Sequence, residues 1–188
     1  MDSSVLVAAF YRFAALEDLQ PLQQQLLALA APAEVRGTIL LADEGVNGTI
    51  AGPEAGVQAV LERLRQQPGL ERLQAKFSHA PQQTFHRLKV RLKREIVTMG
   101  QPQVQPYLAS EVGAHVPPQQ WDALIRDPGT LVIDTRNVYE VAIGSFEGAI
   151  DPGTDSFREF PAWVEQTLRP LVAERQPRAI AMFCTGGI

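Results

Sequence analysis

At 188 residues, 45% apolar and 20% charged, with a net charge of −4, the chain is sized for one large domain or two small ones. The acidic balance excludes a general basic nucleic-acid binder, and a single cysteine excludes both a disulfide framework and a zinc-finger cluster. A lone thiol suits a reducing compartment, Met1-Asp2-Ser3-Ser4 lacks the basic region of a secretory signal, and no apolar stretch nears the ~20 residues that span a bilayer; the sequence reads as cytoplasmic, with neither a membrane nor DNA as partner.

Val5 to Tyr11 is a short apolar run of β-formers and predicts a buried strand. Leu19, Leu22, Leu26 and Leu29 recur at helical spacing, and Pro32 ends that helix. Val35 to Leu41 predicts a second strand. Asp43 to Gly48 is turn chemistry, with Asn47-Gly48 suited to positive φ, and Thr49 to Ala51 predicts a third strand paired back as a hairpin. Pro53 and Glu54 suit a helix start; Val57, Val60, Leu61 and Leu64 face a core, and Pro68-Gly69 stops the helix. Leu73 to Phe77 predicts a fourth strand. The order β-α-β-β-α-β is the ferredoxin-like, split βαβ arrangement. Within residues 84–98, apolar Leu88, Val90 and Leu92 alternate strictly with Lys89, Arg91 and Lys93. Arg87 and Arg94 flank them, giving a half-buried strand with a densely basic face.

Residues 100–117, rich in Pro, Gln and Gly, read as a linker between a unit over 1–99 and a second over 118–188. In the second unit, Pro118 to Ile125 predicts a helix, Thr130 to Asp134 a buried strand, and Asn137 to Ile143 a short helix ended by Gly144. Phe160, Trp163, Val164 and Leu168, then Leu171 and Val172, predict helical packing on either side of a break at Pro170. Arg178 to Phe183 predicts the strand that leads to Cys184. Alternating strands and helices imply a parallel sheet, so the fold class is α+β followed by α/β. In such sheets the working loops lie at the carboxyl ends of strands, where both Asp134-Thr135-Arg136 and Cys184 fall.

Cys184 is the leading catalytic candidate. A lone cysteine is most often a small core residue, but this one follows a strand and precedes Thr185-Gly186-Gly187-Ile188, a segment whose amides could surround a thiolate or an attached oxyanion. Asp134 and Arg136 could orient that loop through a charge-assisted pair; a structural ion pair is the favoured reading. The basic strand weighs equally as a solvated edge that blocks aggregation and as a set of phosphate contacts, with Arg72 and Lys76 near it in sequence. His79, His86 and His115 form no ligand spacing for iron, and no flavin or nicotinamide fingerprint is present, so the expectation is no resident metal or cofactor.

Asp134-Thr135-Arg136, Tyr139-Glu140, Gly144 to Ala149 and the strand to Cys184 together resemble a rhodanese domain. Ile39 to Gly52 (ILLADEGVNGTIAG), Leu88 to Gly100 (LKVRLKREIVTMG), Phe157 to Pro161 (FREFP) and Met182 to Ile188 (MFCTGGI) are similar to the bacterial rhodanese-like tRNA uridine hydroxylases. That resemblance implies oxygen-dependent hydroxylation of the wobble uridine at C5, with molecular oxygen as co-substrate, tRNA as partner and Cys184 as the essential cysteine. It turns the balance for Arg87, Lys89, Arg91, Lys93 and Arg94 towards RNA. Phe85, Tyr107 and His79 could stack on unpaired bases, although aromatics in such positions are more often core. It also implies that the family's loop continues past Ile188, so the 188-residue chain is expected to be inactive alone.

Two other readings fit some of the same residues. A sulfurtransferase would carry sulfur on Cys184 as a persulfide, but would have no need of the N-terminal basic module. An RNA-binding module with a degenerate second domain would need no cysteine at all. A persulfide or sulfenate on Cys184 is conceivable during hydroxylation.

Overall fold

The computed structural model describes residues 4–101, 103–104 and 113–185. The elements before residue 100 are β1 (Val5–Phe13), α1 (Leu19–Ala30), β2 (Arg36–Ala42), β3 (Gly45–Gly52), α2 (Glu54–Arg65), β4 (Ala75–Ala80) and β5 (Leu88–Leu92). Those after it are α3 (Pro118–Arg126), β6 (Thr130–Asp134), α4 (Val138–Val141), α5 (Phe160–Trp163), a π-helical turn (Val164–Leu168), α6 (Arg169–Arg175) and β7 (Ala179–Phe183). The chain divides into two compact units, β1–β5 with their helices and α3–β7.

In the first unit the strand order is β4-β1-β3-β2-β5. The first four strands are antiparallel in the ferredoxin-like order, and β5 adds parallel to β2. Side chains alternate along each strand, so one face takes Leu6, Ala8 and Phe10 of β1 with Ile39, Leu41, Val46, Ile50 and Val90, all buried in one cluster. Both helices close that face. Leu22, Leu26 and Ala30 form one buried stripe of α1; Val57, Val60, Leu61 and Leu64 form that of α2. Glu54 in the first turn of α2 and Arg63 and Arg65 in its last complement the helix dipole.

The β2–β3 hairpin corrects the turn expected at Asn47-Gly48. The turn is Asp43-Glu44, Ala42 pairs with Gly45, and Asn47-Gly48 lies inside β3. Gly45 carries the positive φ, 145°, and a Cβ there would collide with the Arg12 carbonyl. Asn47 spends its side chain on a distant partner instead, donating from Nδ2 to the Ile96 carbonyl at 3.0 Å. The fourth strand runs Ala75–Ala80 rather than Leu73–Phe77, because the Leu73 amide closes a turn on the Leu70 carbonyl at 2.9 Å. The basic strand is shorter than residues 84–98. Only Leu88–Leu92 lies beside β2, and the next amide, of Lys93, reaches the Leu41 carbonyl at 2.8 Å.

In the second unit β6 and β7 pair in parallel, Asp134 opposite Phe183. Ile150 extends the sheet as a single bridge: its amide donates to the Val132 carbonyl at 2.8 Å and its carbonyl accepts from the Asp134 amide at 3.0 Å. Leu131, Ile133, Phe160 and Leu168 form a buried apolar cluster, with Trp163, Val164, Leu171 and Val172 packed on them. Pro170 does not break the helical segment. The chain stays helical from Phe160 to Arg175, and the wide turn at Val164–Leu168 just before the proline relieves the clash and lost donor that an unmodified helix would suffer.

Candidate active site

The carboxyl ends of β6 and β7 hold the candidate site. Asp134 is the last residue of β6, at 0% exposure. A carboxylate there must be paired, and its partners come from three places. Arg136 donates from Nε to Oδ1 at 2.9 Å and from a terminal guanidinium nitrogen to Oδ2 at 2.6 Å. The Arg136 amide donates to Oδ1 at 3.1 Å, and the Ser145 hydroxyl to Oδ2 at 2.7 Å. Burial pushes the Asp134 carboxyl up; the bonds from Arg136 and Ser145 outweigh it and hold the group below the usual carboxylate range. The Arg136 guanidinium is correspondingly raised, first by its hydrogen bonds to Asp134.

The same guanidinium ties two further pieces together. It donates to the Gly144 carbonyl at 2.6 Å, fixing the loop that follows α4. It also lies 5.5 Å from the Phe183 ring centroid, in cation–π range. Phe183 in turn packs edge-on against Phe146 at 4.9 Å and Trp121 at 6.0 Å.

Cys184 follows Phe183 immediately. The Phe183 carbonyl is held by both the Thr135 amide, 3.0 Å, and the Thr135 hydroxyl, 2.9 Å, so the chain leaves β7 in a fixed direction. Cys184 is half-buried. It lines an open pocket of about 430 Å³ with Arg136, Ser145, Phe146, Phe183 and Thr185. The Thr185 hydroxyl donates to Glu140 Oε1 at 2.7 Å. Glu140 is also the third residue of α4, where its Oε2 accepts from the Asn137 amide at 3.3 Å and closes a capping box. One carboxylate therefore holds both a helix start and the residue after the cysteine.

Of the residues singled out in the sequence, Asp134, Arg136, Cys184 and Thr185 come together at this pocket. Gly186, Gly187 and Ile188 lie outside the described residues, as does Tyr107. Ser145, Phe146 and Glu140 carry parts of the site that sequence reasoning left without a role; for Glu140 the Asn137-x-x-Glu140 spacing was the available signal. Among the described residues no group of three or more His, Cys, Asp or Glu is placed to hold a metal ion.

The basic residues belong to the other unit. Lys89 and Arg91 stand in β5 on the face opposite buried Val90. Arg87 precedes the strand, its carbonyl accepting from the Gly37 amide at 3.1 Å; Lys93 and Arg94 follow it. Two of the five thus lie within β5 itself, and Arg87, Lys93 and Arg94 lie in the segments that flank it. His79 lies on the edge strand β4 in the row of Leu6, on the helix-covered side. Phe85 lies in the connection before β5, its amide held by the Gln83 side chain at 3.3 Å.

A family model described as UPF0176 acylphosphatase like domain matches residues 5–96. A protein named tRNA uridine(34) hydroxylase from Parasynechococcus marenigrum is 55% identical over 99% of this chain and 60% of its own length. One of the same name from Mesorhizobium japonicum is 53% identical over 98% of this chain and 58% of its own length. The chain thus spans about three fifths of the length of the curated relatives it matches. Among solved structures, an acylphosphatase from Coxiella burnetii aligns with 47% of this chain and 94% of its own at 10% identity, with a TM-score of 0.35.

Proposed function

We propose that the chain belongs to the family of the relatives named tRNA uridine(34) hydroxylase, and that its full-length protein hydroxylates C5 of the wobble uridine in tRNA, with Cys184 as the reacting side chain. The observation that carries the reading is the placement of Cys184. It sits at the carboxyl end of a parallel strand and opens into a pocket whose walls are set by the Asp134–Arg136 pair and by Glu140 through Thr185. Catalytic groups in parallel sheets occupy such strand ends.

In this proposal residues 118–188 are the beginning of a rhodanese-like α/β domain, residues 1–99 a ferredoxin-like domain and 100–117 the linker. The parallel β6–β7 pair and the Asp-Thr-Arg turn support the first assignment. Molecular oxygen is the co-substrate in this reading. Replacing C5–H by C5–OH with oxygen releases the second oxygen atom as water and consumes two electrons from a reductant outside the chain. Arg136 and Ser145 fix the pocket wall, and the Phe146 ring, partly exposed beside Cys184, offers a face for the uracil. No helix among the described residues is long and apolar enough to cross a membrane, and in this proposal the protein works on tRNA in the cytoplasm.

The test is nucleoside mass spectrometry of tRNA from cells lacking the full-length protein, complemented with wild type or Cys184→Ala. 5-Hydroxyuridine and its derivatives at position 34 return with wild type and stay absent with Cys184→Ala. Their return with Cys184→Ala overturns the proposal. Unchanged tRNA in every strain, with a thiosulfate-derived persulfide on Cys184, assigns the protein to sulfur transfer instead.

A further inference from the structure

The two helices of the first unit cover one face of its sheet; the other face is free of helices and lies apart from the cysteine pocket. Residues paired across strands share a face, so the register assembles that surface row by row. One row runs Lys76–Ala9–Thr49–Thr38–Lys89 from edge to edge. Beside it runs Tyr11–Asn47–Leu40–Arg91, and on the other side Ser78–Val7–Ala51–Arg36. Ala9, Tyr11, Thr38 and Thr49 are partly exposed; Arg36, Lys76 and Arg91 are exposed. No Asp or Glu of these strands lies on the face, in a chain whose net charge is −4. Two chain segments anchor at its ends: Gln83 donates to the Ala51 carbonyl at 3.0 Å, and Asn47 to the Ile96 carbonyl at 3.0 Å.

We propose that this helix-free face binds unpaired nucleotides of RNA, with Tyr11 as the stacking platform and Arg36, Lys76, Lys89 and Arg91 as the phosphate contacts. The Tyr11 ring is partly exposed and packs edge-on against Phe13, with centroids 6.4 Å apart. Ala9, Thr38 and Thr49 are short, which lets a planar base or a ribose lie close to the sheet, and the two threonine hydroxyls can bond to base edges or to a 2′-hydroxyl. Lys76 and Lys89 stand four strand steps apart, about 19 Å, so cations flank the floor at both sheet edges. A lipid surface would meet protruding large apolar side chains here, and a duplex a convex basic ridge; a flat hydroxyl-bearing floor with one aromatic and a cationic rim fits a single strand. The inference rests on the wobble-uridine reading for the identity of the RNA: an anticodon loop is an unpaired strand on a stem.

The test uses the 188-residue chain, a fluorescein-labelled RNA hairpin with an anticodon-sized loop and a blunt RNA duplex of the same stem, with affinities read by anisotropy. The hairpin binds more tightly than the duplex. Tyr11→Ala and Tyr11→Leu each weaken hairpin binding about tenfold and leave duplex binding as it was. Lys89→Glu with Arg91→Glu weakens it further and lowers the slope of log K against log salt by about 1.5. Arg126→Glu, an exposed cation of the second unit, changes neither. Circular dichroism melts of each variant match the wild-type melt. Equal affinity for hairpin and duplex, or wild-type hairpin affinity in both the Tyr11 and the charge-reversed variants, overturns the inference. Loss of U34 hydroxylation in vivo does not bear on these affinities, so Tyr11-dependent hairpin binding without wobble oxidation would sink the catalytic reading and leave this one standing.

Discussion

The two units hold themselves together by different means. The first is organised by apolar periodicity: an alternating strand pattern and two helical stripes meet in a continuous interior that runs from Leu6 to Val90. The second has a smaller apolar interior, Leu131, Ile133, Phe160 and Leu168, while Ile143, Tyr139, Met182 and Ile180 remain exposed. Its strand ends are fixed by a buried carboxylate and the groups that converge on it. The contrast teaches where chemistry can be placed. A unit whose shape rests on packing leaves an outer sheet face spare for a ligand; a unit whose shape rests on one polar knot has its site and its scaffold in the same atoms.

The largest effect expected from breaking that knot is Arg136→Ala. It leaves Asp134 buried with only Ser145 and an amide as donors, and loss of one partner of a buried pair costs about 3–5 kcal/mol. Hydrogen exchange should lose protection at the β6 and β7 amides while β1–β3 stay protected; equal loss in both units would show that they do not differ as argued. Acid should act the same way. The folded Asp134 carboxyl is held below its usual range, so its stabilisation is fully present above the ordinary Asp range near pH 4 and is lost as pH falls through the folded value. Unfolding on acid titration should therefore begin at β6 and β7. Exchange profiles of wild type that collapse first at β1–β3 would contradict this.

Leu26→Ala is the matched perturbation of the other unit. Leu26 is fully buried between α1 and the sheet, and truncation costs about 2–5 kcal/mol depending on how far the cavity collapses. Urea unfolding followed at the β1–β3 amides should shift by that amount, with β6 and β7 unchanged.

How far the sequence revealed each unit follows from the same contrast. Where burial repeats at a fixed period, as in α1, α2 and β1, local pattern and final structure coincide, and the order β-α-β-β-α-β was legible. Asn47-Gly48 was not, because its fate is decided by Ile96, far along the chain. Pro170 read as a break because a wide helical turn has no sequence signature. Cys184, Asp134 and Arg136 stood out by residue type and position at strand ends. Ser145 and the Glu140–Thr185 contact did not, because the paired residues are 11 and 45 positions apart. The outer sheet face was half legible: alternation marked Lys89 and Arg91, but only strand register sets Tyr11, Arg36 and Lys76 beside them.

Glu140→Gln gives the smallest and most discriminating change. Glutamine keeps the length and one acceptor oxygen, so α4 retains a partner for the Asn137 amide, while the charge that strengthens the bond from the Thr185 hydroxyl is gone. The cost in stability should be about 1 kcal/mol. The cysteine loop should register it more strongly than the fold. Alkylation of Cys184 by iodoacetamide should change in rate in Glu140→Gln and in Thr185→Val alike, and the double variant should add nothing beyond either single one. If the two effects add independently, Glu140 serves only as a helix cap, and the second unit's scaffold and site are separable after all, as they are in the first.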